Sequence, residues 1–161
     1  MLVSIQSVFD NNKDLGFARE NFMLSDSNVA ITNGTGAGKA QVQWHSKISI
    51  PTGTATTIDL TNLEGMYGTV SFSSVKAVYI RLVTATDTYI LEVGNAAENN
   101  QLLFLKDDSD IFVLNNDGYL FCQSVNEGWV VDATNKNIKL NNPNAAGIIV
   151  DIYLIGEGTV A

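Results

Sequence analysis

The chain has 161 residues, the length of one domain, and its single cysteine, Cys122, excludes a disulfide within the chain. Charged residues make up only 16% of the sequence, and the net charge is −8 with no two basic residues adjacent, which argues against nucleic acid and an anionic membrane surface as partners. We find neither a signal-peptide pattern nor an apolar run near the ~18 residues of a membrane span, so we expect folding in a reducing cytoplasm.

The first part of the chain differs from the rest. Residues 1–40 are predicted to form an N-terminal arm or hairpin that leads into a β-sandwich domain at residues 41–161. Asp14 to Leu24 has the best helical spacing of apolar residues in the chain, but this stretch is too short for a convincing helix. Asp26 to Lys39 is polar and rich in glycine, which is typical of an irregular connection.

From residue 41 onward, short segments alternate between apolar and polar residues with a period of two, and each is predicted to be a strand. Turn signals such as Asn115 to Gly118 separate them about every 8–12 residues, which indicates an all-β, antiparallel β-sandwich with a jelly-roll-like arrangement. In chain order the predicted strands are Gln41 to Ile50, Thr54 to Leu60, Val75 to Thr84, Thr88 to Val93, Leu102 to Leu105, Ile111 to Leu114, Tyr119 to Cys122, Gly128 to Ala133, Asn137 to Leu140 and Gly147 to Ile155.

Two of these strands carry further information. Val75 to Thr84 is apolar on both faces, which predicts a strand that is covered on both sides. Gly147 to Ile155 has one wholly apolar face and one mixed face that includes Asp151 and Tyr153. We therefore expect the closing strand to be central in its sheet, with its mixed face against a neighbouring subunit or a covering arm.

None of the candidate catalytic and metal-binding patterns in the sequence is complete. Gly34 to Lys39 resembles a phosphate-binding loop, but that pattern needs a glycine at Asn33 and a serine or threonine at Ala40, so we expect a turn. His45 is the only histidine, and no Gly-x-Ser-x-Gly motif accompanies it, so it is expected to be exposed on a strand. We predict no catalytic residue, no cofactor and no metal site, and therefore no enzyme.

Three other features each allow a structural interpretation and a functional one. Asp107, Asp108 and Asp110 lack the calcium-loop pattern and are expected to form a solvated loop, with a weak metal site as the alternative. Cys122 is expected in the core, because no cationic neighbour is evident to activate its thiol. Trp44 and Trp129 are also expected to pack in the core, although exposed tryptophans would suit sugar binding.

A series of short motifs resembles a family of phage-encoded structural proteins. Each motif is weak alone, while their order and spacing over about three quarters of the chain carry the resemblance. They are Gly34 to Gly38, Ala40 with Trp44 to Ser46, Ile58 to Leu60 before Leu63, Gly68 to Phe72, Val75 to Ala77, Val93 to Ala97, Asn116 to Gly118, Gly128 to Val131 and Asp151 to Gly156. Departures from the family at Met66–Tyr67 and at Glu98 to Asn100 concern contacts made by loops.

This resemblance implies a virion protein that decorates or cements a phage capsid by binding the major capsid protein. It also implies a homo-oligomer, often a trimer, that assembles in the host cytoplasm and ends on the capsid surface. The alternative is a tail-associated receptor-binding or glycan-binding β-sandwich module. The residues themselves leave both functions open, because neither requires a catalytic motif.

Overall fold

A computed structural model describes residues 31–84, 86–101, 103 and 105–161, which contain twelve β-strands and no helix. Their bounds are β1 (Thr32–Asn33), β2 (Lys39–Ala40), β3 (Val42–Ile50), β4 (Ala55–Asp59), β5 (Leu63–Gly65), β6 (Gly68–Val83), β7 (Ile90–Gly94), β8 (Ile111–Asn115), β9 (Tyr119–Gln123), β10 (Trp129–Val130), β11 (Asn137–Asn141) and β12 (Ile148–Val160). The predicted all-β, antiparallel sandwich is confirmed. Jelly-roll-like connectivity stays a prediction.

The larger sheet has six strands and is built around β6 and β12. β12 is central, because it pairs antiparallel with β3 along one side and with β6 along the other. The far side of β6 pairs in turn with β5, β9 and β10. The expectation of a central closing strand is therefore confirmed.

The smaller sheet has four antiparallel strands in the order β4-β11-β7-β8. The alternating residues of both sheets that face one another are apolar and form a continuous core. Ile50, Leu82, Leu91, Leu140 and Ile152 in this core are wholly excluded from water. Burial of this apolar surface is the main force that holds the two sheets together.

Two long strands exceed their predicted bounds. β6 begins at Gly68 rather than at Val75, and β12 continues to Val160 rather than ending at Ile155. The register between them shifts after Ile155 and again after Glu157. These irregularities interrupt the strict alternation, so the periodic signal in the sequence is lost although pairing continues.

The Leu102 to Leu105 strand is the clearest error of the sequence prediction. Leu103 lies in a turn with a φ of 45°, although its side chain is buried in the core, and Leu105 is outside any strand. Leu102 and Phe104 lie outside the described residues. The apolar character of Leu103 reflects burial of its side chain beneath a turn, which periodicity alone does not distinguish from a short strand.

Two smaller corrections concern the second half of the chain. Of the predicted strand Gly128 to Ala133, only Trp129–Val130 pairs as a strand. The turn at Asn115 to Gly118 is present, with the amide of Gly118 donating to the carbonyl of Asn115 at 2.8 Å. It connects β8 of the smaller sheet to β9 of the larger sheet, so it is a crossover between sheets.

The predicted arm or hairpin at residues 1–40 falls largely outside the described residues, which begin at Ile31. Within residues 31–40, β1 and β2 pair in parallel across a short loop. The division of the chain at residue 40 stays a prediction.

Candidate functional site

The glycine-rich loop from Gly34 to Lys39 is fastened to the larger sheet. The amide of Gly36 donates to Oε1 of Glu157 at 2.9 Å, and the amide of Gly38 donates to the carbonyl of Val125 at 3.0 Å. The prediction of a turn is confirmed. Its attachment to β12 involves residues far apart in sequence and was not predicted.

Lys76 lies beneath this loop and is the most deeply buried charged residue among those described. Its side chain is only 2% exposed, and its Nζ lies 3.1 Å from Oε1 of Glu157. Nζ also donates to the carbonyl of Asn126 at 2.8 Å and to that of Gly36 at 3.4 Å. The hydrogen bond from the amide of Gly36 and the bond from Lys76 lower the pKa of Glu157. This cluster attaches the loop to β12, because the ammonium of Lys76 and the amide of Gly36 both contact Oε1 of Glu157.

The larger sheet has an outer face, which we define as the side chains that point away from the core. In β12 these are Ile149, Asp151, Tyr153 and Ile155; in β6 they are Ala77, Tyr79 and Arg81; in β3 they are His45 and Lys47; in β9 they are Tyr119 and Phe121. The rings of His45 and Tyr153 stack with centroids 5.1 Å apart, and Tyr79 contacts Tyr153 edge-on. His45 is exposed, as predicted.

The remaining sequence candidates lie in a surface loop and on β9. Asp110 accepts the amides of Lys106 and Asp107, so this carboxylate stabilises its own loop. Among residues 31–84, 86–101, 103 and 105–161, no group of three or more His, Cys, Asp or Glu side chains is placed to hold a metal ion. Cys122 is half-buried against the core, and its burial raises the pKa of the thiol, which disfavours the reactive thiolate.

Both tryptophans are used in packing. Trp44 is buried in the core as predicted, and its Nε1 donates to the carbonyl of Glu64 at 2.9 Å. Trp129 is only half-buried and packs against the same core from β10.

The most exposed large apolar side chains among the described residues are Met66 and Tyr67, at 77% and 71%. They form the turn between β5 and β6. Val160, at the end of β12, is 51% exposed, and its Cγ1 would lie 3.6 Å from a Cβ at Gly68. We call Met66, Tyr67 and Val160 the hairpin tip.

The hairpin tip is held on two sides. The hydrogen bond from Trp44 to the carbonyl of Glu64 fixes β5. On the other side, Thr69 and Ala161 exchange backbone hydrogen bonds of 2.8 and 3.0 Å. A Cβ at Gly68 would overlap the carbonyl oxygen of Ala161, so only glycine allows this close approach. The tip is therefore presented by a constrained turn, and methionine and tyrosine, the residue types of Met66 and Tyr67, are enriched at protein interfaces.

No described helix of this chain has the length and apolar character needed to cross a membrane. Comparison with models of known protein families found no match, and comparison with curated proteins found no relative.

Proposed function

We propose that this protein is a structural virion component that decorates or cements a phage capsid by binding the shell of the major capsid protein. The observation that carries the proposal is the hairpin tip, where Met66 and Tyr67 are more than two-thirds exposed on a constrained turn. An exposed methionine and tyrosine in this setting suit insertion into an apolar pocket of a partner. The resemblance to phage structural proteins supplies the identity of that partner.

The composition supports the same role. A low share of charged residues leaves a mostly neutral polar surface, which suits a protein that packs against many neighbours. A decorating protein needs no single tight contact, because several weak contacts in an oligomer combine to give strong binding to a repeating shell. We propose a homotrimer on the capsid surface as the form that provides this multivalency.

The alternative, a tail-associated receptor-binding or glycan-binding module, rests on the same tyrosine. Tyr67 is exposed enough to stack on a sugar ring, and the polar residues Glu64 and Asn62 are exposed nearby on the chain. A protein partner fits the tip better, since Met66 and Val160 enlarge its apolar surface and offer no hydrogen bonds to a sugar.

Two binding measurements with the purified full chain distinguish these functions. In the first, shells assembled from the major capsid protein of the phage that the proposal assigns to this chain are sedimented with the protein. We expect it to co-sediment at a saturable ratio and to give no specific signal on a glycan array. Failure to co-sediment would contradict the decoration role, and selective glycan binding would establish the alternative. Mass spectrometry of intact particles then locates the protein on the head or on the tail.

A further inference from the structure

Asn100 is a buried polar residue in the connection between β7 and β8, and it is only 4% exposed. Its Nδ2 donates to the carbonyl of Asp108 at 3.3 Å. Its Oδ1 is shielded from water and accepts no hydrogen bond from any described residue. A buried acceptor without a donor is costly, so a native structure that retains one indicates a further partner, such as a water molecule or an ion.

The backbone on both sides of Asn100 is fixed by the start of β11. The carbonyl of Asn99 accepts the amides of Lys136 and Asn137 at 2.9 and 2.8 Å. The amide of Gln101 donates to the carbonyl of Asn137 at 2.9 Å. The side chain of Asn100 is therefore presented from a constrained backbone, which is the arrangement expected of a preorganised ligand.

The loop that this amide contacts, residues 106–110, is acidic. Oδ1 of Asp107 accepts the amide of Ser109 at 3.2 Å, and Oδ2 of Asp110 accepts the amide of Asp107 at 2.9 Å. Asp108 is exposed, and its carboxylate has neither a hydrogen bond nor an ion pair to a described residue. Two of the three carboxylates therefore stabilise the loop, and that of Asp108 is available to a ligand beside Asn100.

This set of oxygen atoms suits calcium better than water alone. Calcium takes six to eight oxygen ligands and accepts those of carboxylates, side-chain amides, main-chain carbonyls and water. Three acidic residues against the single base Lys106 also favour a cation at this loop. A site with fewer than three carboxylates agrees with the finding that no three acidic side chains among the described residues are placed around a metal ion.

We propose that Oδ1 of Asn100 and the carboxylate of Asp108 are ligands of a calcium ion whose remaining ligands are water. The ion joins the loop before β8 to the segment that is bonded to β11. With one charged ligand and access to water, the site belongs to the weak class, with a dissociation constant of about 10⁻⁴–10⁻³ M. The inference adopts the metal alternative that the sequence leaves open for the acidic loop, and it does not depend on the capsid-decoration role.

Thermal unfolding of the full chain tests the site. After removal of divalent cations with a chelator, the midpoint is measured with CaCl₂ or MgCl₂ at about 10 mM and equal ionic strength. We expect calcium to raise the midpoint by about 3–10 °C. Magnesium should raise it less, because it requires regular octahedral geometry and dehydrates reluctantly. A midpoint unchanged by calcium would overturn the proposal and leave water as the partner of Oδ1.

Two variants and a matched control identify the ligands. Asp108→Asn removes the charged ligand at an exposed position, so the protein should fold normally and lose most of the calcium effect. Asn100→Asp places a carboxylate at the buried oxygen and should lower the midpoint without calcium but enlarge the rise that calcium produces. Asn99→Asp adds the same charge at an exposed neighbour and should respond as the wild type does. Equal calcium effects in all four proteins would indicate an adventitious ion only and would overturn the proposal.

NMR of the side-chain amides provides a readout that does not depend on stability. During a calcium titration of the ¹⁵N-labelled full chain, the Nδ2–H peaks of Asn100 should move. Those of Asn142, an asparagine buried elsewhere in the fold, should stay in place. Movement of neither pair of peaks, or equal movement of both, would contradict a calcium ion bound at Asn100.

Discussion

Nζ of Lys76 lies 3.1 Å from Oε1 of Glu157, and the two residues differ sharply in their access to water. The lysine side chain is 2% exposed, whereas the glutamate side chain is 22% exposed. The pair joins β6 to β12 at the point where the register between these strands shifts. Oε1 of Glu157 also accepts the amide of Gly36 and so attaches the loop from Gly34 to Lys39 to β12.

Because Lys76 is buried and Glu157 is partly exposed, replacing one of them is expected to lower stability by a different amount from replacing the other. Glu157→Gln leaves the buried ammonium of Lys76 without its counter-charge, so we expect a loss of about 2–3 kcal/mol in the free energy of unfolding. Lys76→Met leaves a carboxylate that water reaches, so we expect a smaller loss of about 1–2 kcal/mol. In the double variant, Lys76→Met should restore part of the stability that Glu157→Gln removes, as measured by urea unfolding.

The exposed pair of Lys47 and Asp151 provides the matched control. Its 3.8 Å separation and the 68% exposure of the lysine side chain predict a loss below about 0.5 kcal/mol for Lys47→Met. Equal losses for Lys47→Met and Glu157→Gln would show that burial of Lys76 contributes nothing to the strength of its pair.

Three described carboxyl groups, those of Asp59, Asp132 and Glu157, have a lowered pKa, and two of them, Asp59 and Glu157, are in ion pairs that make stability depend on pH. The amide of Gly36 and the ammonium of Lys76 lower the pKa of Glu157 from its ordinary 4.5. Partial burial acts to raise the pKa of Asp59, but the hydrogen bonds from Lys136 and Thr61 together lower it from its ordinary 3.8. A carboxyl with a lowered pKa in the folded state stabilises the fold above its unfolded pKa and loses this effect as the pH falls through its folded pKa.

We therefore expect the free energy of unfolding to be steady from pH 7 to about pH 5 and to fall below about pH 4.5. Urea unfolding at a series of pH values measures this. Replacing both groups, by Glu157→Gln and Asp59→Asn, should lower stability at pH 7 and flatten the decline in acid. A decline as steep in the double variant as in the wild type would contradict the assignment.

Asn142 joins β11 to the start of β12 and is completely buried. Its Nδ2 donates to the carbonyls of Ile50, Pro51 and Ala146 at 2.9–3.0 Å. Asn142→Ala leaves these carbonyls without this donor, so we expect a loss of about 2–3 kcal/mol in thermal or urea unfolding. Asn62→Ala, at an exposed asparagine, is the control and should change stability by less than about 0.5 kcal/mol.

The hairpin tip depends on the absence of a side chain at Gly68. Gly68 has a φ of 133°, and a Cβ there would overlap the carbonyl of Ala161, so we expect Gly68→Ala to break the Thr69–Ala161 pairing. Gly53, with a φ of 62° and open space around it, isolates the backbone effect. Gly68→Ala should cost at least about 1 kcal/mol more than Gly53→Ala, with faster hydrogen exchange at Ala161. Equal costs would show that the close approach is unimportant.

The strands that the sequence predicts best are those whose side chains alternate without interruption. Ile148 to Ile155 could be placed as a central strand because its two faces are distinct within a few residues. The extension of β6 to Gly68 could not, because an irregularity near Lys76 breaks the period. Leu103 is apolar because its side chain is buried, and no local signal reveals the turn in its backbone.

The polar side-chain clusters that stabilise the fold could not be predicted from the sequence. Lys76 and Glu157 are distant in the chain, and a single sequence contains no information that pairs them. Asn142 lies in a segment whose sequence is typical of an ordinary loop. Its side-chain amide nevertheless stabilises that loop by donating to the carbonyl of Ala146. The exposure of Met66 and Tyr67 likewise follows only from the geometry of their turn, although both positions already stood out as departures from the phage family.

The proposed role depends most directly on the hairpin tip. The decisive measurement is the affinity of Met66→Ser and Tyr67→Ser variants for shells of the major capsid protein. Val130→Ser on β10, where the side chain is also largely exposed at 62%, is the apolar control. We expect each tip variant to lose about 2 kcal/mol per site, or about 30-fold in affinity, while retaining wild-type stability. Val130→Ser should bind within about twofold of wild type. Tip variants that bind as tightly as the control would contradict the account.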